Sequence, residues 1–230
     1  MKLKPFFTYF GGKWRAAKHY PLPKYDIIVE PFAGAAGYAL NYSDRNIILY
    51  EIDPILYGLW EYLLKASSQE ILDLSITVSH VDDLQVCQEA KWLIGFWLNK
   101  GTSQPCKQPS KWMRDETRPK SFWGKEIRDR IANQVDKIRH WKIYNKCYLE
   151  ADNIESTWYI DPPYQKMGKY YKYSLIDYNV LGKWCVERNG QIIVCEQDGA
   201  DWLPFKPFKE IKTTCGKNRT AASKEVIYLK

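Results

Sequence analysis

Two short runs of mostly β-branched residues, separated by a glycine-containing turn, constrain the fold of this 230-residue chain most strongly. The first run is 26–30 (DIIVE), the turn is 32–37 (FAGAAG), and the second run is 46–50 (NIILY). Such runs are typical of buried strands. With a helix expected at 36–42, the order strand, turn, helix, strand predicts the opening of a parallel α/β sheet.

The rest of the pattern extends this α/β interpretation. It predicts further helices at 54–65, 69–99, 122–141 and 174–188, and further strands at 143–149, 157–160, 191–195, 208–214 and 226–229. The last two strands are expected to form a closing antiparallel hairpin. We therefore expect an α/β domain made of 1–65 and 148–230, interrupted by an inserted, mostly helical segment at 66–147.

The positive charge of the chain is concentrated in that inserted segment. The net charge is +7. Between Asn99 and Cys147 there are 13 Lys and Arg against 5 Asp and Glu, a balance of +8, which leaves −1 for the remainder. A solvated helix face is the plain alternative. The interleaved aromatic residues of this stretch, among them Trp112 and Trp123, favour nucleic acid as the partner.

Several classes of protein are disfavoured by the sequence. No apolar run approaches the roughly 18 residues that a membrane-spanning helix needs, and the first residues lack the apolar core of a secretion signal. The six cysteines are scattered, without a CxxC pair. This pattern favours reduced thiols in a cytoplasmic protein over disulfides or a zinc site, so we expect no metal. Nothing indicates an obligate protein partner.

The most informative motif is Asp161-Pro162-Pro163-Tyr164, which directly follows the predicted strand 157–160. Ligands of α/β folds bind at the carboxyl ends of strands, although consecutive prolines can also simply end a strand. A carboxylate and a rigid Pro162 carbonyl can accept the two N–H hydrogens of an aromatic amine and turn its lone pair toward an electrophilic methyl group. Tyr164 offers a stacking face for the base. Positioning and preorganised polarity would supply most of the catalysis.

Two further motifs indicate a ligand site. The turn after the first strand lacks a full GxGxxG, so it does not meet the dinucleotide fingerprint. Glu51 follows Gly34 by 17 residues, at the end of the second strand, where an acid typically binds ribose hydroxyls. Near the N-terminus, Tyr9-Phe-Gly-Gly12-Lys13 would let backbone approach a ligand while the lysine meets a carboxylate.

Together, PFFTYFGGK, VEPFAGAAG, YEID and YIDPPY resemble, in this order, the Dam-type DNA adenine methyltransferases, whose target-recognition segment is inserted before the DPPY motif. The resemblance implies a Rossmann-like methyltransferase fold, S-adenosylmethionine (SAM) as cofactor and double-stranded DNA as partner. It also implies transfer of a methyl group to adenine N6 by base flipping, in the cytoplasm of a bacterial or phage-infected cell. The tail GKNRTAASKEVIY is similar to the closing hairpin of the family.

The same resemblance implies roles for individual residues. Those implied around the cofactor are Tyr9, Gly12, Lys13, Phe32, Gly34, Glu51, Asp53, Asp152 and Asp161. Asp152 stands in LEADNI, which is similar to the Gly-Asp-Phe stretch of the family, with Ala and Asn replacing Gly and Phe. The catalytic residues implied are Asp161, Pro162, Pro163 and Tyr164.

The inserted segment differs from the GATC-reading part of Dam, and the recognition sequence stays open. For nucleic-acid contacts we predict Arg114, Arg118, Lys120, Lys125 and Arg128, since arginine suits both phosphates and guanine edges. The same chemistry on RNA adenine or on the cytosine amino group is an alternative. A non-catalytic nucleic-acid-binding protein on this fold is another, and a nicotinamide dehydrogenase is disfavoured by the missing GxGxxG.

Overall fold

A seven-stranded sheet forms the centre of the protein, in a computed structural model that describes residues 2–114, 122–166, 172–212 and 222–230. The strands are β1 (Ile27–Glu30), β2 (Asn46–Tyr50), β3 (Lys142–Tyr144), β4 (Ser156–Ile160), β5 (Gly190–Gln197), β6 (Lys206–Lys212) and β7 (Ala222–Leu229). Their order is β3-β2-β1-β4-β5-β7-β6. The first five are parallel, whereas β7 lies antiparallel between β5 and β6. The predicted α/β class and closing hairpin are confirmed.

Five α-helices are found in the described ranges: α1 (Pro54–Lys65), α2 (Ser68–Leu72), α3 (Gln88–Trp97), α4 (Lys125–Val135) and α5 (Tyr178–Val186). The prediction for α1 is confirmed to the residue, because Asp53 caps its first turn and Pro54 occupies its first position. None of the helices is long and apolar enough to cross a membrane, as far as the described residues show.

Several predicted helices are shorter than the sequence pattern indicated. The helix expected at 36–42 was wrong: only a 3-10 helix, Ala39–Tyr42, forms there. Gly34 and Ala36 adopt positive φ values of 47° and 49°, which ordinary helices exclude. The side chain of Glu30 accepts a 2.6 Å hydrogen bond from the Ala39 N–H. In a longer helix, a backbone carbonyl of the preceding turn would accept from this N–H instead.

The long helix expected at 69–99 was also wrong, because it is divided into α2, a 3-10 turn at Val81–Asp83 and α3. Side chains compete with a helical backbone in the gap: Ser75 Oγ accepts the Thr77 N–H and His80 Nδ1 accepts the Asp82 N–H. The helices expected at 122–141 and 174–188 are likewise shortened to α4, with a 3-10 turn after it, and α5. The strand expected at 143–149 ends at Tyr144.

The sheet separates two buried clusters, one on each face. The larger contains Phe7, Leu49 and Trp60, together with Phe96 of α3 and Ile131 of α4. The predicted inserted segment therefore shares its core with the sheet and contributes β3, at 142–144, to the sheet itself. The smaller cluster lies under α5.

The close pairing of β4 with β5 depends on a glycine. Gly190 has φ +102°, and a Cβ built on it would lie 2.2 Å from the Ser156 carbonyl oxygen. We expect Gly190→Ala to lower the free energy of unfolding by about 3 kcal/mol or more, since it combines positive-φ strain with a backbone clash.

The matched control is Gly199→Ala. Gly199 has φ +87°, but its Cβ would meet only the flexible end of the Lys166 side chain. Urea denaturation should therefore show a clearly smaller destabilisation for Gly199→Ala. Equal destabilisation by the two substitutions would contradict the assignment of a backbone clash to Gly190.

Candidate active site

A cleft of about 260 Å³ opens at the carboxyl ends of β1, β2 and β4. The chain turns from β1 to β2 on one side and from β4 to β5 on the other, so the loops after β1 and β4 diverge. Such a switch in strand order is the usual ligand crevice of an open α/β sheet. Of the predicted catalytic and cofactor residues, those that line the cleft are Tyr9, Gly12, Lys13, Phe32, Gly34, Glu51, Asp53, Asp161 and Pro163.

Lys13 lies between two acids at one end of the cleft. Its Nζ is 3.4 Å from Asp161 Oδ1 and 3.6 Å from Glu225 Oε1. Glu225, on β7, also accepts a 2.6 Å hydrogen bond from the Tyr20 hydroxyl. Burial raises the pKa of Asp161 to about 6, and the nearby Lys13 ammonium opposes that rise. Asp161 is therefore mostly ionised at neutral pH and can accept hydrogen bonds.

The loop after β4 is held rigidly. Pro162 and Pro163 are buried, and the Pro163 carbonyl accepts a 2.7 Å hydrogen bond from the Tyr178 hydroxyl. The buried carboxylate of Glu196, at the end of β5, accepts the Gln165 N–H at 3.1 Å. The half-buried Tyr164 places its ring 4.6 Å from Lys13 Nζ. Asp161 and Tyr164 thus project from a backbone fixed on both sides.

Glu51 links the turn after β1 to the backbone after β2 at the cleft. One carboxylate oxygen accepts the Gly34 N–H and the other accepts the Asp53 N–H, each at 3.0 Å. Burial raises the pKa of Glu51 to about 7, against the lowering effect of these bonds. Asp53 is buried, caps α1 through Ile55 and receives Gln104 Nε2 at 3.3 Å. Glu51 is the better placed of the two acids for a ligand.

The N-terminal motif lies against the glycine turn. A Cβ on Gly34 would touch the Tyr9 ring at 3.4 Å, and a Cβ on Gly37 would lie 2.7 Å from the Trp14 nitrogen. Gly37 therefore permits the close approach that brings Lys13 into the cleft. Phe32 packs on Tyr148, with ring centroids 5.1 Å apart, and forms an aromatic wall.

The remaining predicted residues lie elsewhere. Asp152 is exposed and does not line the cleft. Arg114 is exposed on the surface of the inserted segment. Lys125 and Arg128, by contrast, both pair with Asp129 on α4. Arg118 and Lys120 lie outside the described residues.

Four residues of the site were not found from the sequence: Tyr20, Glu30, Tyr148 and Glu225. Glu225 had a weak signal, since it is a charged residue between strand-forming residues of the tail. Tyr20 is separated from it by 205 positions, so no local pattern connects them. In the described ranges, no cluster of three or more His, Cys, Asp or Glu residues could hold a metal ion.

Comparisons with known proteins identify no family. No family model and no curated protein matches the chain. Among solved structures, the chain is similar to a conserved hypothetical protein of Streptococcus pyogenes, with 10% identity and a TM-score of 0.39 over 88% of this chain and 84% of that one. At this identity and TM-score the likeness says nothing of what either protein binds.

The cleft contains a buried acid whose ionisation should oppose folding. Glu30 is 2% exposed, and burial raises its pKa to about 8 from an ordinary value of 4.5. The folded state binds this proton more tightly than the unfolded state does. The protonated Glu30 therefore adds its full contribution to the free energy of unfolding below about pH 4.5, and that contribution is lost as the pH rises to about 8. We expect Glu30→Gln to match the wild type at pH 4 and to be the more stable protein at pH 8.

Urea midpoints at the two pH values would measure this difference. Glutamine keeps an oxygen that accepts the Ala39 N–H. The control is Glu155→Gln, at an exposed position, which should leave the pH dependence unchanged. A parallel fall in stability in wild type and Glu30→Gln would contradict the role of Glu30.

Proposed function

We propose that the protein is a SAM-dependent DNA adenine-N6 methyltransferase of Rossmann-like fold. The observation that carries the proposal is the meeting, in one cleft, of Asp161 and Pro163 from the loop after β4, the glycine turn with Glu51, and the Tyr9–Lys13 motif. The resemblance of these motifs to Dam-type enzymes supports it. The antiparallel β7 between β5 and β6, in an otherwise parallel sheet, supports the methyltransferase form of the fold.

The described residues fit SAM by the chemistry of their donors and acceptors. Each Glu51 oxygen accepts one backbone N–H, which leaves each a lone pair for a ribose hydroxyl. The Phe32–Tyr148 wall and the half-exposed Ile52 offer apolar surface to an adenine ring. At the other end, the ammonium of Lys13 lines the cleft, where it can pair with the carboxylate of SAM.

The residues of the chain would then work as follows. When bound, SAM supplies an electrophilic methyl group and leaves as S-adenosylhomocysteine. Asp161 and the Pro162 carbonyl accept the two N–H hydrogens of the adenine amino group, which aims its lone pair into the cleft. Tyr164 stacks on the base, which must leave the duplex because its amino group is paired there.

Lys13 has a role in this scheme beyond the one that the resemblance implies. Its ammonium favours the ionised form of Asp161, which is the form that accepts hydrogen bonds. The amino nitrogen becomes strongly acidic once it is methylated, so its excess proton needs only a weak acceptor. Asp161 can take that proton and release it to water.

The first test is transfer of labelled methyl from SAM to duplex DNA, followed by identification of the modified base. At saturating SAM, we expect Asp161→Ala to reduce turnover about 10²–10³-fold, as for removal of one preorganised polar group, with SAM affinity largely kept. Wild-type turnover should fall as the pH drops below about 6, since protonation removes the acceptor.

Asp161→Asn is the matched variant, and its residual activity should not show that acid limb. A modified cytosine, or a preference for RNA, would establish one of the alternative substrates. Near-normal turnover of Asp161→Ala would contradict the assigned role.

The second test concerns the cofactor. We expect Glu51→Ala to weaken SAM binding about 30- to 150-fold, which corresponds to about 2–3 kcal/mol for removal of a buried hydrogen-bond partner. Calorimetric titration of SAM would measure it. Since Glu51 also holds the Gly34 and Asp53 backbone, the urea midpoint of the variant must be measured alongside.

Glu51→Gln separates the two roles, because its amide oxygen keeps one of the acceptors. It should bind SAM with intermediate affinity. Normal SAM binding by a folded Glu51→Ala protein would show that the carboxylate serves the turn alone.

A further inference from the structure

Two segments that are distant in the sequence bring exposed cations together on the rim of the cleft. Lys209 of β6 donates a 2.6 Å hydrogen bond from Nζ to His19 Nε2, and Lys18 stands beside them. All three side chains are exposed. The pKa of His19 is lowered by partial desolvation and by the ammonium groups of Lys209 and Lys18, which indicates that the two ammonium groups lie close to the imidazole.

This cluster lies at the same edge of the sheet as the site. Lys209 pairs in register with Glu225, which in turn pairs with Gln197 at the end of β5. Tyr20, the neighbour of His19, donates its hydroxyl hydrogen to Glu225. Because Glu225 contacts Lys13 beside Asp161, the cluster borders the Asp161 end of the cleft.

The same N-terminal segment reaches the basic inserted segment on its other side. The pKa of the exposed Lys100 is lowered by desolvation and by the guanidinium of Arg15, so these two cations are neighbours. The Phe10 N–H also donates to the Thr102 carbonyl at 3.1 Å. We call Lys100, Arg15, Lys18, His19 and Lys209 the basic band.

Three cations of the basic band carry a charge that no carboxylate of the described ranges neutralises. No carboxylate there forms an ion pair with Arg15, Lys18 or Lys209. The band has a single sign of charge and is made of cationic and imidazole side chains. A protein-binding surface is built instead around an apolar centre. A row of one sign of charge along a cleft rim suits a polyanion.

We propose that the basic band is a second docking surface for duplex DNA, which holds backbone phosphates beside the target base. This inference rests on the proposed function, since it is the cleft between the surfaces that receives the base. It extends DNA contact from the inserted segment to the N-terminal turn and the closing hairpin. Phosphate contacts position the duplex and carry no sequence information themselves.

The first experiment is a salt titration of binding to a 20-base-pair duplex containing adenine. The double variant Lys18→Gln, Lys209→Gln should reduce the log–log salt slope by about 0.9 for each phosphate that it no longer neutralises. Between 0.05 and 0.2 M salt, the affinity of the wild type should therefore fall about 3.5-fold further than that of the variant for each such phosphate. The control, Lys183→Gln, changes an exposed lysine on α5, across the sheet from the band. It should leave the slope unchanged.

The second experiment uses the wild-type protein and needs no variant to fold. The imidazole proton signals of the three histidines can be followed by NMR across a pH titration, with and without the same duplex. A phosphate beside His19 favours the imidazolium, so its pKa should rise on DNA binding.

These experiments separate the band from the proposed function. Any of three results would contradict the proposed role of the band. They are an unchanged salt slope in the double variant, a His19 pKa that does not rise on DNA binding, and equal binding of polyglutamate and DNA. A wild-type protein that binds DNA with a band-dependent slope but transfers no methyl group would overturn the proposed function and support the band. If the wild type transfers methyl groups to DNA and the double variant keeps the DNA affinity and salt slope of the wild type, only the proposed role of the band is contradicted.

Discussion

The ammonium of Lys13 connects three parts of the chain that lie far apart in the sequence. Asp161 follows β4, Glu225 lies on β7, and Lys13 comes from the N-terminal segment. Without the ammonium, two mostly buried carboxylates would face each other uncompensated, and removing one partner of a buried ion pair is strongly destabilising. The position of the loop after β4 therefore depends on a residue far from it in sequence.

The cleft illustrates a conflict between stability and chemistry. Burial raises the pKa values of Glu30, Glu51 and Asp161 to about 8, 7 and 6. Each of these acids opposes folding as it ionises near neutral pH. A large shared core, formed by the sheet together with α1, α3 and α4, can offset that cost. The inserted segment thus stabilises the site as well as presenting positive charge.

Strand positions were predictable because burial of parallel strands selects β-branched runs, as at β1 and β2. The extent of the helices was not, since side-chain bonds override helical periodicity: Glu30 takes the Ala39 N–H, and Ser75 and His80 interrupt the segment before α3. The motif residues after β1, β2 and β4 were found because each group follows a strand, and the Tyr9–Lys13 motif was found from its two glycines before a lysine. Tyr20 and Glu225 could not be paired from the sequence. The basic band could not be predicted for the same reason, because its residues come from three separate parts of the sequence: 15–19, Lys100 and Lys209.

The position of β7 also restricts the order in which the chain can fold. β6 comes earlier in the chain, yet it touches β5 only through β7, which lies between them. Until β7 is in place, the fully buried Ile193 and Cys195 of β5 belong to an open sheet edge, which is a template for aggregation. Closing the sheet requires contacts as distant as that of Tyr20 with Glu225, and such contacts form slowly. The last strand therefore completes the site and protects the nascent sheet in the same step.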